Sequence, residues 1–199
     1  MKSLFFVSLL ALCCNPAKLK TEEPKHTGVI DPSESWEPIG VMPTEDCQQV
    51  NIGDKVCNFR LEDQNGDVWD LHSHEGDIIV LDISAGWCHP CNVAADSVQV
   101  LQDSYASDNV QIVTVLVDGY VGASEPTEDE IQRWTSEHNI ETAPVLKGSR
   151  EKMLDPTGKN GYILSAFPTY YYIDRNMRLY DAHIGFGDEY VRLKIEDKL

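Results

Sequence analysis

Every position of Ile78-Ile79-Val80-Leu81-Asp82-Ile83 except the fifth is apolar, the pattern of a strand covered on both faces rather than one. Strands are also predicted near 110–117, 169–174 and 178–184, with a hairpin near 58–70. After the first of these apolar runs the period changes. Ala94, Val98, Leu101 and Tyr105 recur at helical spacing, which predicts a helix over 89–106. Further on, Thr127-Glu128-Asp129-Glu130 after Pro126 forms a capping box and opens a helix that runs to His138. Its acidic first turn suits the helix dipole and needs no function. A helix near 187–198 and a short one around 149–155 complete an α/β chain.

The first 46 residues follow neither period. Met1-Lys2-Ser3 and the nine apolar-rich positions from Leu4 to Leu12 have the charge order and length of an export signal, too short for a relaxed membrane span. Cys13 and Cys14 close it, as in a bacterial lipoprotein signal that ends at a lipidated cysteine. Leu12 stands before Cys13 where a small residue is usual, whereas counting from Cys14 puts Cys13 in that slot. Residues 15–46 hold Pro16, Pro24, Pro32, Pro38 and Pro43 among charged and polar residues. Such a stretch buries too little apolar surface to fold alone and reads as a tether. The expected organisation is therefore a signal at 1–14, a tether at 15–46 and one domain at 47–199, with no internal repeat.

A net charge of −17 argues against nucleic acid, which needs a basic footprint. It also disfavours acidic partners. The six cysteines carry the chemistry. Trp87-Cys88-His89-Pro90-Cys91 follows the buried strand directly and starts the helix. Two cysteines three apart at such a turn place both sulfurs on one helical turn, where unpaired N–H groups favour a thiolate at Cys88. Cys91 is then near enough to attack a mixed disulfide formed there, which is what dithiol–disulfide exchange requires. Structural zinc usually takes two such pairs, and this chain has one.

With Cys13 and Cys14 in the signal, Cys47 and Cys57 are left to pair with each other, and an exported protein can keep such a bridge. A second redox pair relaying electrons to Cys88 and Cys91 is the rival reading. Asp82, six residues before Cys88, is expensive to bury ionised. Desolvation should raise its pKa towards neutrality, so that it can take the Cys91 proton; a solvated strand-end carboxylate is the plainer alternative. His89 either tunes Cys88 as a cation or merely fills an exposed position. Pro90 stiffens the turn. His72-Ser73-His74-Glu75 leads into Gly76-Asp77 and reads as a solvated turn rather than a metal site. Neither metal nor cofactor is expected.

Over about residues 53–197 the chain resembles the thioredoxin superfamily, most of all the membrane-tethered bacterial thioredoxins of the TlpA and ResA type. The resemblance rests on Gly53-Asp54-Lys55-Val56-Cys57-Asn58-Phe59-Arg60-Leu61, on Asp63-Gln64-Asn65-Gly66, on the Trp-Cys-His-Pro-Cys motif and on Phe167-Pro168-Thr169 before an aromatic strand. It implies a central mixed sheet flanked by helices with an added N-terminal hairpin. It further implies a cis Pro168 facing the cysteines, Trp87 packed beside Cys88, a substrate groove shaped by Phe167, Pro168 and Thr169, and a proton-carrying Asp82. Relatives commonly have Pro where Cys57 stands. The sequence departs from thioredoxin at Ser84, where a second Trp is usual, and in lacking a Lys on the strand 110–117.

The expected function is thiol–disulfide oxidoreduction in the periplasm or cell envelope, more on the reducing side, by a monomer held to the membrane by an N-terminal lipid. Its partners would be protein dithiols and disulfides, including apocytochrome or other exported cysteine proteins, and an external thiol reductant. Two other classes stand beside this reading. A peroxiredoxin needs Pro and Thr or Ser where Leu81 and Ala85 stand. A non-enzymatic metal or haem chaperone using Cys88, His89 and Cys91 is the alternative to the enzyme.

Overall fold

The computed structural model describes residues 47–153 and 160–199. The predicted signal at 1–14, with Cys13 and Cys14, and the tether at 15–46 lie outside the described residues. A short antiparallel hairpin, β1 (Arg60–Glu62) and β2 (Val68–Asp70), precedes the main sheet. That sheet has the order β5-β4-β3-β6-β7, from β3 (Ile78–Ala85), β4 (Val110–Asp118), β5 (Val145–Lys147), β6 (Thr169–Ile173) and β7 (Leu179–Ile184). β3 runs parallel to β4 and antiparallel to β6, so the sheet is mixed.

β3 is central because its sequence allows nothing else: all eight of its residues are buried. Alternation sends Ile79, Leu81 and Ile83 to one face and Ile78, Val80, Asp82 and Ser84 to the other. The first face packs on Val113, Val115 and Val117 of β4, on Leu61 and Trp69 of the hairpin, and on Cys47, Phe59 and Tyr162. The second is covered by α1 (His89–Ala95), α2 (Val98–Tyr105), α3 (Glu128–Glu137) and α5 (Asp188–Glu196), through Cys91, Val98, Leu101, Trp134, Val191 and Ile195. Asp82 is therefore placed by strand parity on the face that carries the cysteine motif.

The predicted helix over 89–106 is two helices. Ser97 N–H bonds back to Ala94 O in a tight turn, and Asp96, at the break, accepts from His138 Nδ1 at 2.7 Å. The apolar spacing survives this kink because Cys91, Ala95, Val98, Leu101 and Tyr105 still face one core. The capping box at Thr127 and Glu130 is formed in both directions. The short helix expected at 149–155 is observed as α4, Arg150–Met153. β5 was not anticipated; three residues after Pro144 are too few to show a period.

Cys47 and Cys57 form a disulfide with Cα atoms 5.5 Å apart. It ties the start of the described chain to the hairpin-side core, where the Tyr162 hydroxyl donates to Cys57 O at 2.7 Å. Closing so short a loop stabilises by about 2.5–3 kcal/mol on the chain-entropy model. Changing both cysteines to Ser is expected to cost that much in urea unfolding and to spare most turnover. Peptide mapping after mild reduction should find 47–57 intact while 88–91 opens. A double variant that folds normally but no longer accepts electrons would favour the relay.

Candidate active site

β3 ends at Ala85, and the chain turns sharply into the motif. Gly86 lets the Gly119–Tyr120 segment pack close to that turn: a Cβ there would lie 3.0 Å from Gly119 C and from the Tyr120 ring. Gly86 N–H donates to Asp118 O at 2.9 Å, which fixes the turn to the end of β4. Cys88 then caps α1, its sulfur accepting the Cys91 N–H at 3.3 Å. Asn92 braces the turn, its amide donating to Cys88 O at 2.9 Å and Gly86 O at 3.2 Å.

Cys88 and Cys91 are joined in a disulfide, Cα atoms 5.3 Å apart. Cys91 is fully enclosed, and Cys88 shows 4% of its surface, at the floor of an open groove. The groove has a volume of about 400 Å³, and Trp87, His89, Pro90 and Phe167 contribute to its walls. Trp87 is half-exposed and His89 and Pro90 are exposed. The Phe167–Pro168 peptide bond is cis. Pro168 O accepts the Gly185 N–H at 2.8 Å, and the Thr169 hydroxyl donates to Ala166 O at 2.7 Å, so the loop before β6 is held at both ends.

Asp82 lies between Thr114 of β4 and Tyr170 of β6 in the sheet register, with no exposed surface. Burial pushes its carboxyl up to about 7, against the opposing pull of the Ser84 and Thr114 hydroxyls. The Ser84 hydroxyl donates to Asp82 Oδ1 at 2.7 Å. Oδ2 accepts nothing among the described residues, and the Thr114 hydroxyl does not reach hydrogen-bond geometry. A buried acid poised near neutrality, on the face that carries Cys91, can take or give one proton there. The departure at Ser84 thus has a consequence: a hydroxyl aimed at the carboxylate replaces a bulky ring.

Trp87, Phe167 and two residues that sequence reasoning missed form a rigid wall. Asp118 accepts from Trp87 Nε1 at 3.0 Å, from Arg150 Nε at 2.8 Å and from Arg150 Nη2 at 2.6 Å. Burial pushes the Asp118 carboxyl up, but the hydrogen bonds from Arg150 and Trp87 outweigh it and hold the group below its usual range. The Trp87 ring meets Phe167 edge-on with centroids 5.9 Å apart. Asp118 had a faint signal in the sequence, since it stands at the carboxyl end of a parallel strand, where α/β sites collect. Arg150 had none.

The remaining candidates stay apart from the groove. His72 Nε2 bonds with Val56 O at 2.9 Å and His74 Nδ1 with Asp77 Oδ2 at 3.3 Å, so the His-Ser-His turn is used structurally. Cys47 packs in the core on one face of the sheet and Cys88 and Cys91 in the core on the other.

Comparison with known proteins finds the sequence profile of the AhpC/TSA family matching residues 52–182. The thioredoxin-like protein YneN of Bacillus subtilis is 26% identical over 137 residues, 68% of this chain and 73% of YneN. The thiol–disulfide oxidoreductase ResA of Oceanobacillus iheyensis is 28% identical over 141 residues, covering 66% of this chain and 64% of ResA. Among solved structures, the exposed lipoprotein thioredoxin Etrx1 of Streptococcus pneumoniae superposes with a TM-score of 0.55 at 25% identity, over 72% of this chain and all of that one.

Proposed function

The chain belongs to the AhpC/TSA family and is a thioredoxin-like thiol–disulfide oxidoreductase; we propose that it works outside the cytoplasm, through Cys88 and Cys91, as a reductase of protein disulfides. One observation carries the reading: two bonded cysteines at a helix start, one on the floor of an open groove and the other fully enclosed.

In the reduced protein the Cys88 thiolate attacks a substrate disulfide, forming a mixed disulfide and releasing one substrate thiolate. Asp82 takes the Cys91 proton. The Cys91 thiolate then attacks Cys88 Sγ, and the second substrate thiolate leaves. Two electrons have passed to the substrate, and an external thiol must restore the dithiol. The Cys91 N–H, aimed at Cys88 Sγ, favours the thiolate there.

The reducing direction is supported by Pro90 in the turn. An extracytoplasmic setting is supported by the apolar Leu4–Leu12 stretch before Cys13 and Cys14, by the Cys47–Cys57 bridge, and by the likeness to a relative named an exposed lipoprotein. Among the described residues no helix is long and apolar enough to cross a membrane. Peroxidase chemistry is not part of the reading, because buried Leu81 and Ala85 supply neither the Pro nor the hydroxyl that the peroxiredoxin motif needs.

An insulin-reduction assay with dithiothreitol as donor tests the activity. Equilibration with glutathione tests the direction. The Cys88–Cys91 potential is expected nearer the roughly −270 mV of thioredoxin than the roughly −120 mV of DsbA. A value at the oxidising end, or failure to reduce insulin, would reverse the direction.

A further inference from the structure

In a chain with 33 acidic and 16 basic residues, the described residues that line the groove over Cys88 include Arg150 and no carboxylate. Arg150 is held there from behind. Its Nε and Nη2 grip Asp118, which is 1% exposed, and its Cζ lies 5.2 Å from the centre of the Phe167 ring. Guanidinium has five N–H donors in a fixed fork. Asp118 takes one from Nε and one from Nη2, and the other three have no acceptor among the described residues. The side chain is 46% exposed, so this outer edge is open to the groove. Asp118 and Phe167 hold the guanidinium in place, and the ordering of a long side chain that weakens most surface ion pairs is already done.

We propose that Arg150 is a specificity determinant of this groove and receives the carboxylate of an Asp or Glu side chain next to the reacting cysteine of a substrate polypeptide. The proposal rests on the oxidoreductase reading and names the substrate class of that same site. The chain's overall negative charge repels acidic partners at long range, but salt screens that field beyond about 8 Å. At contact distance the exposed fork decides, because a planar guanidinium edge matches a carboxylate bidentately. Asp118 offsets part of the guanidinium charge from behind, but it takes up only the inner N–H groups and leaves the outer edge free to donate to a carboxylate at contact distance.

Three disulfide peptides of one sequence, differing only in Glu, Gln or Lys beside the cysteine, test this. Wild-type protein is expected to favour the Glu peptide over the Gln peptide by about fivefold in kcat/KM at low salt, with Lys last. High salt should shrink the ratio. Arg150→Gln alone leaves Asp118 unpaired, and that charge would itself repel Glu, so the deciding variant is Arg150→Gln with Asp118→Asn. Its amide oxygen can still accept from Trp87, and its Glu-to-Gln ratio is expected to fall to about one. Arg150→Lys should keep part of the preference. Equal use of the Glu and Gln peptides by the wild type would overturn the proposal and leave the oxidoreductase reading standing. So would a preference that persists in the double variant. Failure to turn over any of the three peptides would overturn the oxidoreductase reading, and the proposal with it.

Discussion

Cys91→Ser is expected to lower turnover by at least about 10³-fold and to leave substrate proteins covalently attached at Cys88. Cys88→Ser is expected to lose turnover equally and to trap nothing. The asymmetry follows from access. Only Cys88 reaches the groove floor, while Cys91 has no exposed surface and is packed into the core beneath it. A serine at 91 leaves the first attack intact, because the Cys88 sulfur and its approach are unchanged. It then cannot resolve the mixed disulfide, since an unactivated hydroxyl does not displace a thiolate. Mass shifts on non-reducing gels, reversed by dithiothreitol, provide the readout. Alkylation of the reduced wild-type protein at mildly acidic pH should label Cys88 first. A covalent complex on Cys88→Ser, or Cys91 labelled first, would invert the assignment of roles.

The elements that the sequence revealed are those whose chemistry is local. β3 is legible because it is buried on both faces and its apolar run needs no partner to be recognised; the motif after it is legible because two sulfurs three residues apart have few other uses. The kink between α1 and α2 was hidden, since the residues on either side keep helical spacing towards the same core. Its visible partner, His138, lies 42 residues from Asp96. The groove wall was hidden for the same reason. Arg150 is 32 residues from Asp118, and a single arginine after a Gly-Ser pair carries no pattern. Strand parity was the one long-range feature that could be read in advance. The odd and even positions of 78–85 send Asp82 to the helix-covered face, and burial there does the rest.

Asp82→Asn is expected to slow resolution by about 100-fold at pH 7 while leaving the first attack by Cys88 nearly unchanged. The carboxyl is held at about 7 by burial, opposed by Ser84 and Thr114. In the wild type, resolution should therefore rise with pH through that value, as Asp82 becomes able to accept the Cys91 proton. An amide of the same shape cannot accept it, so the variant should resolve only where Cys91 ionises unaided, at alkaline pH. Stopped-flow measurement of mixed-disulfide decay against pH separates the two profiles, and Ser84→Ala should move the wild-type midpoint upward by removing a hydrogen bond to the ionised form. Stability should change in the opposite sense to activity. The folded carboxyl binds its proton more tightly than the unfolded one, whose pKa is near 3.8. Between those values the unfolded state holds fewer protons, so the wild-type contribution is fully present below about pH 4 and is lost as pH rises through 7. Asp82→Asn escapes that loss, and its stability relative to wild type should grow by on the order of 2 kcal/mol from pH 5 to pH 8 in urea unfolding. A pH-independent difference in stability, together with unaltered decay of the mixed disulfide at neutral pH, would take Asp82 out of the mechanism.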